Sequence, residues 1–145
     1  MKIKIWIAIL VVLTVLFAMV HLNTREEVAE NTLQLVMGDE TIRIDISKLE
    51  FVQVSGVRVN GKGEEVSIEA PGILVKDVLE QENITEFQKV TVMADDSYQA
   101  EVTAEEVFAD DKVYFLYEEE SLRLIVFGDE NSKRSVSNVV QITIE

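Results

Sequence analysis

Sixteen consecutive residues, from Ile5 to Val20, carry no charge, and Leu22 extends the run past His21. A run of that length predicts either a transmembrane helix or a cleaved leader. Eighteen helical residues reach about 27 Å, close to the ~30 Å hydrocarbon thickness of a bilayer. Lys2, Lys4 and the amino terminus precede the run, while Glu26, Glu27 and Glu30 follow it. The preference of Lys and Arg for the cytoplasmic side then predicts a cytoplasmic N-terminus and an exported remainder. Trp6 suits the inner membrane interface. Leader cleavage wants small residues spaced as Ala-x-Ala, whereas the exit reads Leu16-Phe17-Ala18-Met19-Val20-His21. The expectation is an uncleaved signal anchor over residues 1–24, an acidic juxtamembrane stalk over 25–32, and one extracytoplasmic domain over 33–145.

Charge narrows the partners of that domain. Beyond residue 24 there are 11 Lys and Arg against 27 Asp and Glu, a net −16. Nucleic acid is excluded as a partner, because phosphate binding needs clustered cations. An anionic bilayer surface is disfavoured for the same reason, so the membrane contact expected is residues Ile5 to Val20 alone. Cysteine is absent, which removes disulfides, thiolate metal sites, cysteine nucleophiles and a lipidated N-terminal Cys. The single histidine, His21, stands at the membrane boundary. A Ser/His/Asp triad or a histidine-built metal site inside the domain is therefore ruled out.

From Leu33 onward, period-two alternation dominates. Leu33, Leu35 and Met37 predict one strand, and Ile42, Ile44 and Ile46 a second beyond the turn at Gly38-Asp39-Glu40. Val52, Val54, Val57 and Val59 predict an extended stretch broken near Ser55-Gly56. Asn60-Gly61-Lys62-Gly63 turns it back into Val66 and Ile68. Pro71-Gly72 is expected to end that strand and open a helix, with Leu74, Val75, Val78 and Leu79 on one face and Asn83 as its stop. Lys89 to Ala94 and Tyr98 to Val102 predict a hairpin across Asp95-Asp96-Ser97. Thr103-Ala104-Glu105-Glu106 is a capping box opening a short helix that carries Val107 and Phe108. Val113 to Tyr117 is apolar on both faces, as a central strand should be. Glu118 to Ser121 turns the chain into Leu122–Phe127, and Val140, Ile142 and Ile144 close it. The fold class expected is α+β: about nine mostly antiparallel strands and two short helices, preceded by one transmembrane helix.

The order of pieces after Pro71 resembles a known family. A Gly72-led amphipathic stretch, Gly72-Ile73-Leu74-Val75-Lys76-Asp77-Val78-Leu79, precedes a Lys89-Val90-Thr91-Val92 strand. Asp96-Ser97-Tyr98 follows where the family commonly has Asp-Gly-Tyr. Then come a short helix, a Tyr114-to-Tyr117 strand, Leu122-Arg123-Leu124 and a closing strand from Val139 to Ile144. This is similar to the oxidoreductase molybdopterin-binding domain, the central α+β fold of the sulfite oxidase family, over roughly Leu33 to Glu145. The resemblance implies that fold and, in metal-holding members, molybdenum ligated by a cysteine thiolate. The chain has no cysteine, and Leu122 runs straight into Arg123 without the family's Gly/Pro-rich loop. What the resemblance implies is a scaffold that has lost its cofactor.

No catalytic constellation stands out, and no catalytic or metal-ligating residue is expected. Asp95-Asp96 with Ser97 and Tyr98 can offer carboxylates to a cation or a ligand, against the plainer reading of a solvated turn. Glu118-Glu119-Glu120 and Asp129-Glu130 make an acidic rim only if their loops share a side. Arg123 sits in an apolar strand and, by the resemblance, near the family's cofactor pocket; the plainer reading pairs it with a local carboxylate. Lys133-Arg134 reads as an exposed loop, Tyr98, Tyr114 and Tyr117 as packing residues, and Asn83-Ile84-Thr85 as a chance sequon. Asp96, Tyr98 and Arg123 are the candidate ligand-binding residues. The function expected is a non-catalytic envelope module binding a protein or a small ligand, without a cofactor. The rival expectation is a redox protein of molybdopterin-dependent oxidoreductase type.

Overall fold

The structure, a computed structural model, describes residues 2–23 and 31–145. Helix α1 (Lys2–Asn23) runs 22 residues. Of its described side chains, Ile5, Ile7, Leu10, Val11, Leu13 and Leu16 are each more than half exposed and point to every side. Such a helix has no polar face to turn to water. Among the described residues, whose side chains leave out Trp6, Phe17 and Val20, no helix is long and apolar enough to cross a membrane.

The rest is a β-rich α+β unit. Strands β1 (Thr32–Met37), β2 (Glu40–Asp45), β3 (Val52–Val59) and β4 (Glu65–Leu74) lead into helix α2 (Val75–Gln81). Strands β5 (Lys89–Ala94) and β6 (Gln99–Thr103), helix α3 (Ala104–Phe108), and strands β7 (Val113–Glu118), β8 (Ser121–Val126) and β9 (Val139–Ile144) follow. They form two sheets, ordered β2-β1-β9-β5-β6 and β3-β4-β7-β8. Every pairing is antiparallel except β1 with β9, where Leu35 stands beside Ile142. Alternation decides which face is dry. Leu33 and Leu35, Val90 and Val92, and Ile142 and Ile144 turn inward, while Gln34, Thr91, Gln141 and Thr143 face out. The inward residues meet Val78 and Leu79 of α2, Val107 of α3, and Phe115, Leu122 and Leu124 of the second sheet in one core.

Three expectations need correcting. Ile46 is not in a strand: Asp45 caps a single 3₁₀ turn, its carboxylate accepting from Ser47 N at 3.0 Å, and this ends β2. β3 is unbroken through Ser55-Gly56, because Val52 to Val59 stay in register with β4 throughout. Gly56 instead leaves room for the Phe127 ring, which a Cβ would meet at 2.5 Å. Pro71-Gly72 does not end β4 either. Pairing with β7 begins only at Gly72, so Pro71 withholds no ladder bond from that neighbour. Gly72 is squeezed between Leu116 and Val54, and α2 starts three residues later at Val75. The sheet of β3, β4, β7 and β8 also carries a second small cluster of Val54, Ile68, Ala70, Leu116 and Ile125, against which Tyr114 and Phe127 pack.

Two local expectations hold in detail. Thr103 and Glu106 form the reciprocal capping box that opens α3. Asn83 stops α2 in a left-handed conformation, φ 59°, and Ile84 N closes back on Leu79 O at 2.9 Å.

Candidate ligand-binding concavity

A hollow of ≈ 930 Å³ opens where the β5–β6 turn, the β7–β8 turn and the starts of β1 and β9 converge. Its floor is apolar, built from Ile46, Met93, Tyr117, Leu122 and Val139. Its rim is Asn31, Asp95, Ser97, Glu119, Glu120 and Asn138. No Lys or Arg lines it. Three carboxylates and no cation make a site that repels anions and suits a neutral polar or cationic ligand.

The rim is a set of bent-back turns. Asn31, Ser97, Glu119, Glu120 and Asn138 all have positive φ, at 62°, 71°, 50°, 63° and 52°. Only three other described non-glycine residues do, so these conformations concentrate at this hollow. Each costs roughly 1–2 kcal/mol for a residue with a Cβ, and such positions gather at functional sites more than elsewhere. Neighbouring backbone groups fasten the rim: Asp95 N donates to Asn138 O at 3.1 Å, and Ile46 N donates to Asn31 O at 2.8 Å. Tyr117 is held from below by Phe51, whose ring stacks on it with centroids 5.2 Å apart.

The three residues singled out from sequence lie around this hollow without meeting in it. Asp96 turns its carboxylate back to Tyr98 N at 3.0 Å, a local turn bond. The Tyr98 hydroxyl donates to the carbonyl of Lys133, tying the β5–β6 turn to the loop before β9. It is their neighbours Asp95 and Ser97 that line the concavity. Arg123 lines a smaller hollow of ≈ 500 Å³ that shares Glu119, Ser121 and Asn138 with the first. Its Nε lies 3.1 Å from Glu118, so its charge is met locally.

The acidic segments do not form one rim. Glu119 and Glu120 turn the chain before β8, whereas Asp129 follows its far end. Six strand residues place those ends about 20 Å apart. Asp129 accepts from Arg134 through both oxygens, at 2.9 and 2.6 Å, and Glu106 accepts from the same guanidinium at 2.7 Å. Arg134, expected on an exposed loop, is a half-buried clamp between that loop and the capping box of α3. Two carboxylates that far apart in sequence carry no local signal. These contacts hold the guanidinium well above its ordinary value, Asp129 first and against the cost of burial. Burial alone would raise the Glu106 carboxyl, but the Thr103 amide and Arg134 outweigh it and hold the group below its ordinary 4.5.

The donor set bears on the cofactor that the resemblance implies. A pterin phosphate wants cations or helix N–H groups converging on it, and the resemblance implies a thiolate ligand for molybdenum. The concavity offers carboxylate, amide and hydroxyl oxygens and the Met93 thioether, with no thiolate, imidazole or cation. Those residues do not fit the group. Among the described residues, no three His, Cys, Asp or Glu side chains are grouped to hold a metal ion. No family model matches this sequence, and no curated protein does.

Proposed function

We propose that the chain is a membrane-anchored, extracytoplasmic and non-catalytic binding module, built on a scaffold of the molybdopterin-binding type and using its emptied end as a ligand site. The observation that carries this reading is the ≈ 930 Å³ concavity with a carboxylate rim and no cation. Its ligand is a neutral polar or cationic small molecule, or a basic segment of an envelope protein. The anchor is supported by the 22-residue helix, about 33 Å long, by its uncharged stretch and by the Lys2/Lys4 against Glu26/Glu27 asymmetry across it.

The test uses the full chain in detergent micelles. Thermal unfolding is followed with spermidine, a lysine-rich peptide, inorganic pyrophosphate and a neutral sugar, at low and physiological salt. A midpoint raised by the polyamine or the peptide, and unmoved by pyrophosphate, is the expected result. Stoichiometric molybdenum on elemental analysis, a visible absorption band, or stabilisation by pyrophosphate would overturn the reading in favour of a redox protein that retains a cofactor.

A further inference from the structure

A sheet edge presents unpaired N–H and C=O groups and invites another strand, so edges normally carry a device that discourages pairing. Three of the four edges here do. β2 bears Glu40 and Asp45 at its two ends. β6 is five residues long with Glu101 at its centre. β8 is covered where Leu124 bridges to Val136, with N to O distances of 2.8 and 3.2 Å in the two directions. β3 is neither short nor covered, and its one charge is Arg58 near its end. It is eight residues long, contains no acidic residue in a strongly acidic chain, and ends the sheet order. Val52 is 63% exposed and Val57 51% exposed, on opposite faces of the strand.

We propose that β3 pairs antiparallel with β3 of a second copy of this chain, joining the two four-stranded sheets into one sheet of eight. A twofold axis perpendicular to the sheet at Ser55 keeps like faces together. It sets Val54 opposite Gly56 of the second copy, Gln53 opposite its Val57, and Val52 opposite its Arg58. Arg58 then lies diagonal to Glu50 of the second copy, within reach of a long side chain. The same pair recurs across the axis. Neither Arg58 nor Glu50 has an ion-pair partner among the described residues of its own chain. The charge complementarity therefore names a second copy as the occupant. Repulsion between two acidic domains acts at longer range and is screened beyond about 8 Å at physiological salt. The contact is separate from the concavity and does not depend on what binds there.

The absence of native cysteine makes the test direct. On the axis, Ser55 stands opposite itself with Cα atoms about 4.5–5.5 Å apart, inside the disulfide range. Full-length Ser55→Cys, in membranes or micelles under mild oxidant, should form a disulfide dimer at least tenfold more readily than Thr41→Cys on the β2 edge. Adding Val57→Lys to Ser55→Cys should lower that yield at least tenfold, and position 57 is open enough to fold with lysine. Equal crosslinking at positions 41 and 55, as an association through α1 alone would give, overturns the proposal. So does a yield unchanged by Val57→Lys, or Ser55→Cys trapped on a different protein.

Discussion

The two ends of the β7–β8 hairpin are both acidic, yet they are treated oppositely. At the end where β7 begins and β8 finishes, carboxylates meet cations: Glu106 and Asp129 share Arg134, Asp111 is bonded to Lys76, and Asp110 lies 3.5 Å from Lys112. At the other end, Asp95, Glu119 and Glu120 have no ion-pair partner among the described residues, while Glu118 alone takes Arg123. Left-handed backbone occurs at both, in Asp110-Asp111 and in Glu119-Glu120. The difference teaches that carboxylates are kept at the first end because they fasten a loop to α3. At the second end they fasten nothing, and the hollow behind them is what they have in common.

Removing the clamp should have the largest effect. Arg134→Ala leaves two half-buried carboxylates without their cation, and should cost about 2 kcal/mol in urea unfolding. A loss under about 0.5 kcal/mol would make the two ends equivalent and break the comparison. Replacing Glu119-Glu120 by Asn-Gly, the pair this two-residue turn prefers, should stabilise the protein by about 1–2 kcal/mol. The same change should remove the spermidine-induced rise in unfolding midpoint. A stabilised variant that keeps its response would move the ligand site elsewhere.

Acid sharpens the contrast further. Glu106 titrates below its ordinary 4.5, so its bonds contribute stability above that pH and lose it as pH falls through the folded value. Glu106→Gln should be less stable than the native chain at pH 7, and the gap should close as acid carries the pH down through the lowered folded value of Glu106. Parallel curves in a pH series of urea midpoints would show that the clamp does not depend on the carboxylate charge. The smallest effect belongs to Lys89, which bonds Glu101 at 2.8 Å and Glu145 at 2.9 Å and is raised to about 12 by those two partners, Glu101 first. Its contribution is fully present below pH 10.5 and fades as pH rises through 12. Lys89→Met should therefore shift the midpoint only slightly at neutral pH, and less again in high salt.

Local chemistry made much of the fold legible in advance. Alternation at Leu33/Leu35, Val90/Val92 and Ile142/Ile144 marks inward faces regardless of which strands become neighbours. Thr103 with Glu106, and Asn83 after Leu79, act within one turn of helix, so their roles follow from spacing alone. The candidate site was legible only as a neighbourhood. Asp96 and Tyr98 name the correct turn, but the pleat hands the rim to Asp95 and Ser97 instead. Arg134 carried no signal, since its partners Glu106 and Asp129 come together only when α3 and the loop after β8 are both in place.

By itself, the amino-acid order determined an apolar N-terminal helix, a run of about nine strands, two short helices of which one opens on a capping box, and a domain without thiol or imidazole ligands. Those properties depend on contacts within a few residues, or on composition alone. Tertiary structure decided that the strands divide into two sheets, that β4 passes through Pro71-Gly72, that β3 is left as an open edge, and that five left-handed residues ring one hollow. Strand pairing and turn convergence are settled between segments tens of residues apart, where a period-two pattern is equally content with many neighbours.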